Sequence, residues 1–513
     1  MGTIKKTNIS ERVLVILPSG EALEGDRGTT LEEFLAGRIE TEAPVVGAVV
    51  NGELRELTYP ISIESSITPV TMADADGMRF YRRSLTFLLA AAFEELYPDL
   101  QLYIDHSVSS GGYFCHVSND FTDADIKRLE SRMRELVEAD MPFKREVVPL
   151  EEAVEYARSK GYVDKVRLLA YRQKPTLVFY SLGDLRQYHH GYMVPSTGYL
   201  KWFRLIKTGD GMTLCFPRRH HPTKLQSAPE YPKLLSTFRQ YGDWLNTLGI
   251  SSVGALNDAI LAGRSREVIL VSEALHERRI AEIAARIEEH RDRIRVVLVA
   301  GPSSSGKTTF SKRLTVQLLA RGISPFPIEM DNFFVDREKT PVDESGEYDF
   351  ESIDAVDITR LNQDLSLLIS GETVRLPRYD FKRGLQVEGE EARVSNEQII
   401  ILEGIHGLNP ALTPLIAPEQ TFRVYTSALT QLNLDRYNRV STTDTRLIRR
   451  IVRDAAYRGY SAADTIARWE SVRRGEKRYI FPYQENADIQ FNSALAYEVS
   501  ALGPLAEPLL RQV

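Results

Sequence analysis

RVVLVAGPSSSGKTTF, residues 295–310, carries three signals in succession. Val296 to Ala300 is a short, β-branched, apolar run closed by a glycine, the pattern of a strand buried in a parallel sheet. Gly301, Gly306, Lys307 and Thr308 then satisfy G-x-x-x-x-G-K-[ST]. Phe310, Leu314, Leu318 and Leu319 recur at helical spacing as far as Gly322. Strand, glycine-rich loop and helix stand in the order that a phosphate-binding loop requires. The two glycines let the backbone turn, so that the amides of Gly301, Ser303, Ser304, Ser305, Gly306, Lys307, Thr308 and Thr309 can face phosphate oxygens. The helix start adds its positive dipole end. Lys307 is expected to bridge the β- and γ-phosphates, and the Thr308 hydroxyl to bind Mg²⁺. The ligands this stretch predicts are ATP and Mg²⁺.

Downstream, strands and helices alternate as in a doubly wound parallel sheet. SPFPIEM predicts a strand ending at Met330, with Asp331 at its carboxyl end, where open α/β sheets place ligand groups. An aspartate there can take a proton from an attacking hydroxyl and help hold Mg²⁺; it can equally cap the following segment. Ile399 to Leu402 reads as a buried strand with Glu403 at its end, a second candidate for Mg²⁺. In TTDTRLIRRIVRDAAYRGYS, Asp444 or Thr445 can cap a helix. Arg446, Arg449, Arg450 and Arg453 then share one face, opposite Leu447, Ile448, Ile451 and Val452. Such a face can close over the loop as a lid and neutralise charge on a transferred phosphoryl group. It can also be a surface paired with acids such as Asp454.

The whole chain of 513 residues has room for three or four domains. Its net charge of −7 gives no case for bulk nucleic-acid binding. Cys115 and Cys215 form no disulfide framework, and MGTIKKTNIS lacks the apolar core of a signal peptide; the expectation is a reducing cytoplasm. No apolar run approaches membrane-spanning length.

Four segments follow. Residues 8–72 read as strand, Pro-Ser-Gly turn, strand, a short helix capped by Thr29 or Thr30, and a hairpin turning at Asn51-Gly52. This resembles the β-grasp TGS module of threonyl-tRNA synthetases. Residues 73–216 contain a helix from Phe80 to Leu96 and an amphipathic helix capped by Thr122 or Asp123, and resemble the α+β second domain of those synthetases, which removes misattached serine. That domain's pocket is built from H-x-x-x-H and C-x-x-x-H; here Arg83, Phe87, His189 and Met193 fill the four places, so editing is expected to be absent. His189 and His190, with Cys215, His220 and His221, match no zinc spacing and are expected in partly exposed loops; Arg83 and His189 could instead line a residual ligand pocket. Residues 217–293 read as a proline-containing extended linker and then one long helix, Ile269 to Arg291, with Ala274, Ile280, Ile283, Ala284 and Ile287 as its apolar stripe. Residues 294–513 form the last domain. The fold class is multidomain α/β.

GPSSSGKTTF, MDNFF, YDFES-IDAVD, RYDF, LEGIHG and TTDTRLIRRIVRD occur in the order seen in the uridine kinase and phosphoribulokinase group. The resemblance implies phosphoryl transfer from ATP to a small-molecule hydroxyl, most simply the 5′-hydroxyl of a nucleoside. It implies Asp331 as general base, Thr308 and Glu403 on Mg²⁺, and Asp349 or Glu351 on ribose hydroxyls. Tyr379 and Phe381 would line the base; Arg446, Arg449, Arg453 and Arg458 would reach phosphates or close the lid. Gly384 stands where uridine kinases carry a base-reading histidine, which weakens uridine as acceptor. The alternatives are another hydroxyl metabolite, such as a sugar phosphate or vitamin precursor, and an RNA-associated regulatory ATP-binding protein that senses tRNA. The resemblance also implies a homo-oligomer.

Overall fold

The structure is a computed structural model that describes residues 11–39, 41–108, 111–227, 230–343 and 346–513. The first residues of the 8–72 segment therefore lie outside the described residues. The chain forms two compact units, Met1–Pro229 with Asn433–Arg439, and Glu230–Leu432 with Val440–Val513.

The first unit opens with β1 (Arg12–Ile16), β2 (Ala22–Asp26), α1 (Leu31–Leu35), β3 (Val45–Val50), β4 (Glu53–Glu56) and β5 (Ser65–Thr71). The sheet order is β2-β1-β5-β3-β4, with β1 and β5 parallel and the other pairs antiparallel. Thr30 and Glu33 close a reciprocal cap on α1. Asn51 and Gly52 both take positive φ, 49° and 85°, which the tight β3–β4 turn requires. Next come α2 (Ala75–Leu96), β6 (Leu102–Val108), β7 (Gly112–Val117), α3 (Asp123–Glu138), β8 (Lys144–Pro149), α4 (Leu150–Ser159) and α5 (Val163–Leu169). They are followed by β9 (Thr176–Leu182), β10 (Leu185–Tyr188), β11 (Arg204–Thr208) and β12 (Gly211–Cys215), in sheets ordered β10-β9-β8 and β11-β12-β7-β6. Segment 433–439 is fastened into this unit: Arg436 makes a two-pronged pair with Asp164 at 2.9 and 3.1 Å, and Asn438 donates to Tyr188 O at 3.0 Å.

The second unit begins with α6 (Pro232–Thr247), α7 (Val253–Leu261) and α8 (Ser265–Glu288). The helices α6 and α7 thus fill the stretch between the proline-containing linker, FPRRHHPTKLQSAPEYPKL, and the expected long helix, and of that linker's described residues only the last are helical. Leu234, Phe238, Tyr241 and Leu245 in α6 are buried at spacings of four, three and four, a helical signal that the prolines before it obscured. The stripe of α8 is Val268, Ser272, His276, Ile280, Ile283, Ala284 and Ile287; Ala274 lies outside it, exposed.

Then follow β13 (Val296–Ala300), α9 (Lys307–Leu319), β14 (Ser324–Glu329), α10 (Ile358–Ile369), the hairpin β15 (Thr373–Asp380) and β16 (Leu385–Arg393), β17 (Gln398–Glu403), β18 (Thr421–Ser427), α11 (Thr442–Tyr457), α12 (Ala462–Tyr479), β19 (Ile489–Asn492) and α13 (Glu498–Leu510). Their five-stranded sheet runs β14-β17-β13-β18-β19, parallel throughout. Pro325 and Pro327 confine β14 to the edge. All five residues of β13 are buried. Val296 and Leu298 pack into one core with Phe333, Leu361 and Leu365, while Val297 and Val299 pack into another with Ile283, Phe310 and Leu314. Apolar matter on both faces explains why β13 is a continuous apolar run.

Candidate active site

The carboxyl end of this sheet gathers the predicted residues. β13 runs into Gly301, where a Cβ would lie 1.9 Å from Thr426 O on β18; only glycine lets the two strands approach there. Ser304 and Gly306 take positive φ, 57° and 87°, which curls the loop before α9. Lys307 folds back, its Nζ donating to Pro302 O at 3.3 Å. Thr308 Oγ1 donates to Glu403 Oε2 at 2.9 Å across the β13–β17 boundary.

The loop is braced by the arginine face of α11. Arg446 Nε donates to Ser303 O at 3.0 Å, Arg449 Nη1 to Ser304 O at 3.4 Å, and Arg450 Nη1 to Ser303 Oγ at 3.0 Å. Arg446, its side chain 1 % exposed, pairs with the fully buried Glu476, which also accepts from Arg473 at 2.6 Å and from the Ser303 amide at 3.2 Å. Arg449 pairs with Glu498 and donates to Ser493 O. The structure thus puts Arg446 and Arg449 behind the loop as braces. Arg450, Arg453 and Arg458 lie within 3.3, 2.8 and 3.7 Å of the buried Asp454. The cap of α11 is Ser441, whose Oγ accepts from the Asp444 amide, rather than Asp444 or Thr445.

Asp331 lies in the short turn Met330–Phe333 that follows β14. Its carboxylate keeps contact with solvent, yet the walls around it withhold most bulk water. Desolvation, and next the charge of Glu403, push its pKa up to about 6, while Lys307 and Arg458 oppose the rise. Of the two ribose candidates, Glu351 is the one electrostatically joined to Lys307 and Asp331. Burial, then Glu476, push its pKa up to about 7, and its Oε2 is buried without a partner. Asp349 is spent locally, accepting from the Glu351 amide at 3.1 Å and from Tyr479 Oη at 3.3 Å.

The acceptor side is the β15–β16 hairpin. The Tyr379 amide donates to Asn332 Oδ1 at 3.4 Å, next to Asp331. Its buried ring meets Phe334 and Phe381 edge-on at 5.7 and 5.1 Å, and Phe381 is 60 % exposed. His406 lies within the LEGIHG run, which by itself assigns it no role. It is buried after β17, and burial pushes its pKa down to about 4 against a hydrogen bond with the Ser352 backbone, so it stays neutral.

The hard oxygen set of Thr308, Glu403 and Asp331 suits Mg²⁺, which takes one or two carboxylates and completes its shell with water and phosphate. The braced loop at the start of α9 suits a nucleotide phosphate chain. Among the described residues no group of three or more His, Cys, Asp or Glu could hold a metal.

In the first unit the four synthetase positions are filled with packing. Arg83 donates to Tyr192 O, and its Nη2 lies 2.8 Å from where a Gly191 Cβ would be. Phe87 packs on Phe143 and His189, with ring centres 5.8 and 5.3 Å apart, and Met193 is buried. His189 is buried as well, contrary to the expectation of a partly exposed loop histidine; desolvation holds it neutral. Its aromatic neighbour Phe87 comes from α2, which the local sequence does not reveal.

Residues 296–500 match the Phosphoribulokinase / Uridine kinase family. The chain is similar to a putative fructose transport system kinase from Silicibacter sp. TM1040, at 19% identity and TM-score 0.30, over 41% of this chain and 98% of that one. It is similar likewise to a possible uridine kinase from Bacillus stearothermophilus, at 21% identity and TM-score 0.24, over 40% and 100%. The N-terminal part is similar to the threonine–tRNA ligase of Burkholderia lata, 36% identical over 198 residues, and to that of Methylococcus capsulatus, 34% identical over 198 residues. Each match takes 38% of this chain and only 31% of the ligase, so the chain spans under a third of those relatives' length. No helix among the described residues is long and apolar enough to cross a membrane.

Proposed function

We propose that the protein is an Mg²⁺-dependent kinase that transfers the γ-phosphoryl group of ATP to a small-molecule hydroxyl, the 5′-hydroxyl of a nucleoside being the first candidate. The observation that carries this reading is the pairing of Thr308 and Glu403 at 2.9 Å at the mouth of the braced loop, beside an aspartate whose pKa stands near 6. Asp331 takes the acceptor's hydroxyl proton as the oxygen attacks the γ-phosphorus; the bond to the ADP oxygen breaks and ADP departs. A base near pH 6 is ionised at neutral pH, yet holds a proton more firmly than an ordinary aspartate does. Lys307 and the loop amides hold the phosphate chain, with Arg450 and Arg453 of α11 and Arg458 at its end as further cations for the transferred charge. Mg²⁺ held by Thr308 and Glu403 would neutralise phosphate charge. Glu351, with one bare oxygen, is suited to accept from acceptor hydroxyls. Tyr379 and Phe381 offer an apolar wall.

The test is ADP release across nucleosides, sugars and sugar phosphates, with Asp331→Asn and Lys307→Ala as controls. Turnover should fall at least a hundredfold in Asp331→Asn while the thermal midpoint holds. Undiminished turnover in either variant would sink the reading.

The ligase likeness favours a second role for the first unit, contact with tRNA. The packed-in Arg83, Phe87, His189 and Met193 speak against hydrolysis of a misacylated tRNA there.

A further inference from the structure

The position that lacks a base-reading histidine is occupied by something else. Gly384 has φ +69°, and a Cβ on it would lie 2.8 Å from both Cζ and Nε of Arg337. A side chain at 384 would be strained by the positive φ and would have to push that guanidinium aside. Arg337 is held from two sides: its amide donates to Gly384 O at 2.8 Å, and its Nη2 donates to Phe381 O at 2.8 Å. Its charge also reaches Tyr379, where it opposes the upward push of burial on the phenol.

This guanidinium is half-buried, and among the described residues it makes no ion pair. The acids close to it in sequence are engaged elsewhere. Asp336 accepts from Lys339 and from the Gln386 amide, and Asp380 accepts from the amides of Lys382 and Arg383. One arm of the fork is used on Phe381 O. The guanidinium also hydrogen-bonds the phenol of Tyr379, the residue whose amide is tied to Asn332 next to the candidate base, and its other N–H groups lie beside that ring.

We propose that Arg337 is the specificity-determining residue of the acceptor site, selecting acceptors that present two adjacent hydrogen-bond-accepting atoms in one plane. This rests on the kinase reading above. A guanidinium has only donors, in a planar fork. It is matched by two adjacent lone pairs and mismatched by any edge that places an N–H between them. The Watson–Crick edge of uracil reads acceptor, donor, acceptor, so its N3–H would face the fork and leave two donors unpaired. Cytosine offers N3 and O2 side by side. The oxygens of a phosphate or carboxylate present the same pair and add charge. The inference therefore turns the missing histidine from a loss of recognition into a change of what is recognised: uridine is disfavoured, and cytidine or an anionic hydroxyl compound takes its place.

Two matched pairs of probes separate these sources: cytidine against uridine, and ribose 5-phosphate against ribose. Binding is read by calorimetry and transfer by kcat/KM. In the unaltered protein at least one pair should show a tenfold to hundredfold preference for the member with adjacent acceptors, of the order that one two-pronged contact supplies. The pair that shows it names the source. Arg337→Met should shrink the preference to about twofold with KM for ATP unmoved. Arg337→Lys, which keeps the charge without the fork, should retain a phosphate preference and lose a cytidine one. Absence of discrimination in both pairs, its persistence in Arg337→Met, or no binding of any of the four probes overturns the assignment. Discrimination in binding without any turnover supports Arg337 and removes the kinase reading. Turnover without discrimination does the reverse.

Discussion

The rate should depend on pH through two carboxyl groups. Asp331, pushed up to about 6 mainly by desolvation, must be ionised to take a proton. Glu351, pushed up to about 7 by burial, must be ionised to accept from acceptor hydroxyls with both oxygens. The active form is deprotonated at both, so activity rises with pH. For Asp331 alone, roughly a tenth is ionised at pH 5 and roughly nine-tenths at pH 7. Adding Glu351 makes the free-enzyme profile steeper. A plot of log kcat/KM for the acceptor should climb with a slope of about two below pH 6, about one between pH 6 and 7, and level above. The charge of Asp331 is among those that raise Glu351. Glu351→Gln removes one titration and one like charge, so its profile should climb with a slope of about one and a midpoint at or below 6. The assay is coupled ADP release at saturating ATP and Mg²⁺, with acceptor varied, from pH 5 to 8.5. A flat profile over that range would refute the assignment of Asp331 as base. A slope of two that survives Glu351→Gln would remove Glu351 from the site.

Three further outcomes follow from packing. Gly301→Ala places a methyl 1.9 Å from Thr426 O, where backbone faces backbone; a loss of about 3 kcal/mol in urea unfolding is expected, and an unchanged midpoint contradicts the crowding. Arg446→Met leaves the buried Glu476 with Arg473 as its remaining cation, and should cost about 3 kcal/mol by thermal unfolding; adding Glu476→Gln should recover part of it, and a change below about 0.5 kcal/mol in the single variant contradicts the brace. Full-length protein mixed with seryl-tRNA should release serine no faster than buffer, because the four positions hold packed side chains; catalysed release refutes that reading.

The parallel sheet was readable because each central strand carries its own signature. Val296–Ala300 and Ile399–Leu402 are unbroken apolar runs, and each is followed directly by a residue of the site, Gly301 and Glu403. Caps and turns were equally local: Thr30 with Glu33, Thr122 with Asp125, and Asn51-Gly52. Less visible was α6, whose apolar positions were plain but whose proline-rich approach argued for an extended chain. Proline at the first helical position is compatible with a helix and marks its start. Long-range pairings had no local signal. Helical phase groups the arginines of α11, yet it does not say that Glu476 lies behind Arg446, or that Arg337 lies over Gly384 forty-seven residues later in the chain.

The bracing of the loop bears directly on phosphate binding. In a trans peptide the C=O of one residue and the N–H of the next point in opposite directions, and no peptide bond here is cis. Arg446 holds the carbonyl of Ser303, so the amide of Ser304 is turned to the other side of the loop. Ser493 Oγ holds the carbonyl of Ser305, so the amide of Gly306 is turned likewise. The arginines that phase alone assigns to the ligand thus act one step removed: they fix carbonyls at the back and so aim amides to the front. Cations on the carbonyls also polarise the peptides and strengthen those N–H groups as donors. Neutral replacement at Arg446 should therefore weaken ATP binding although the side chain touches no phosphate. Arg446→Lys, a compact ammonium without the planar fork, should restore only part of it. Equal ATP affinity in Arg446→Met and the unaltered protein, measured by calorimetry, would show that the loop holds its shape without the brace.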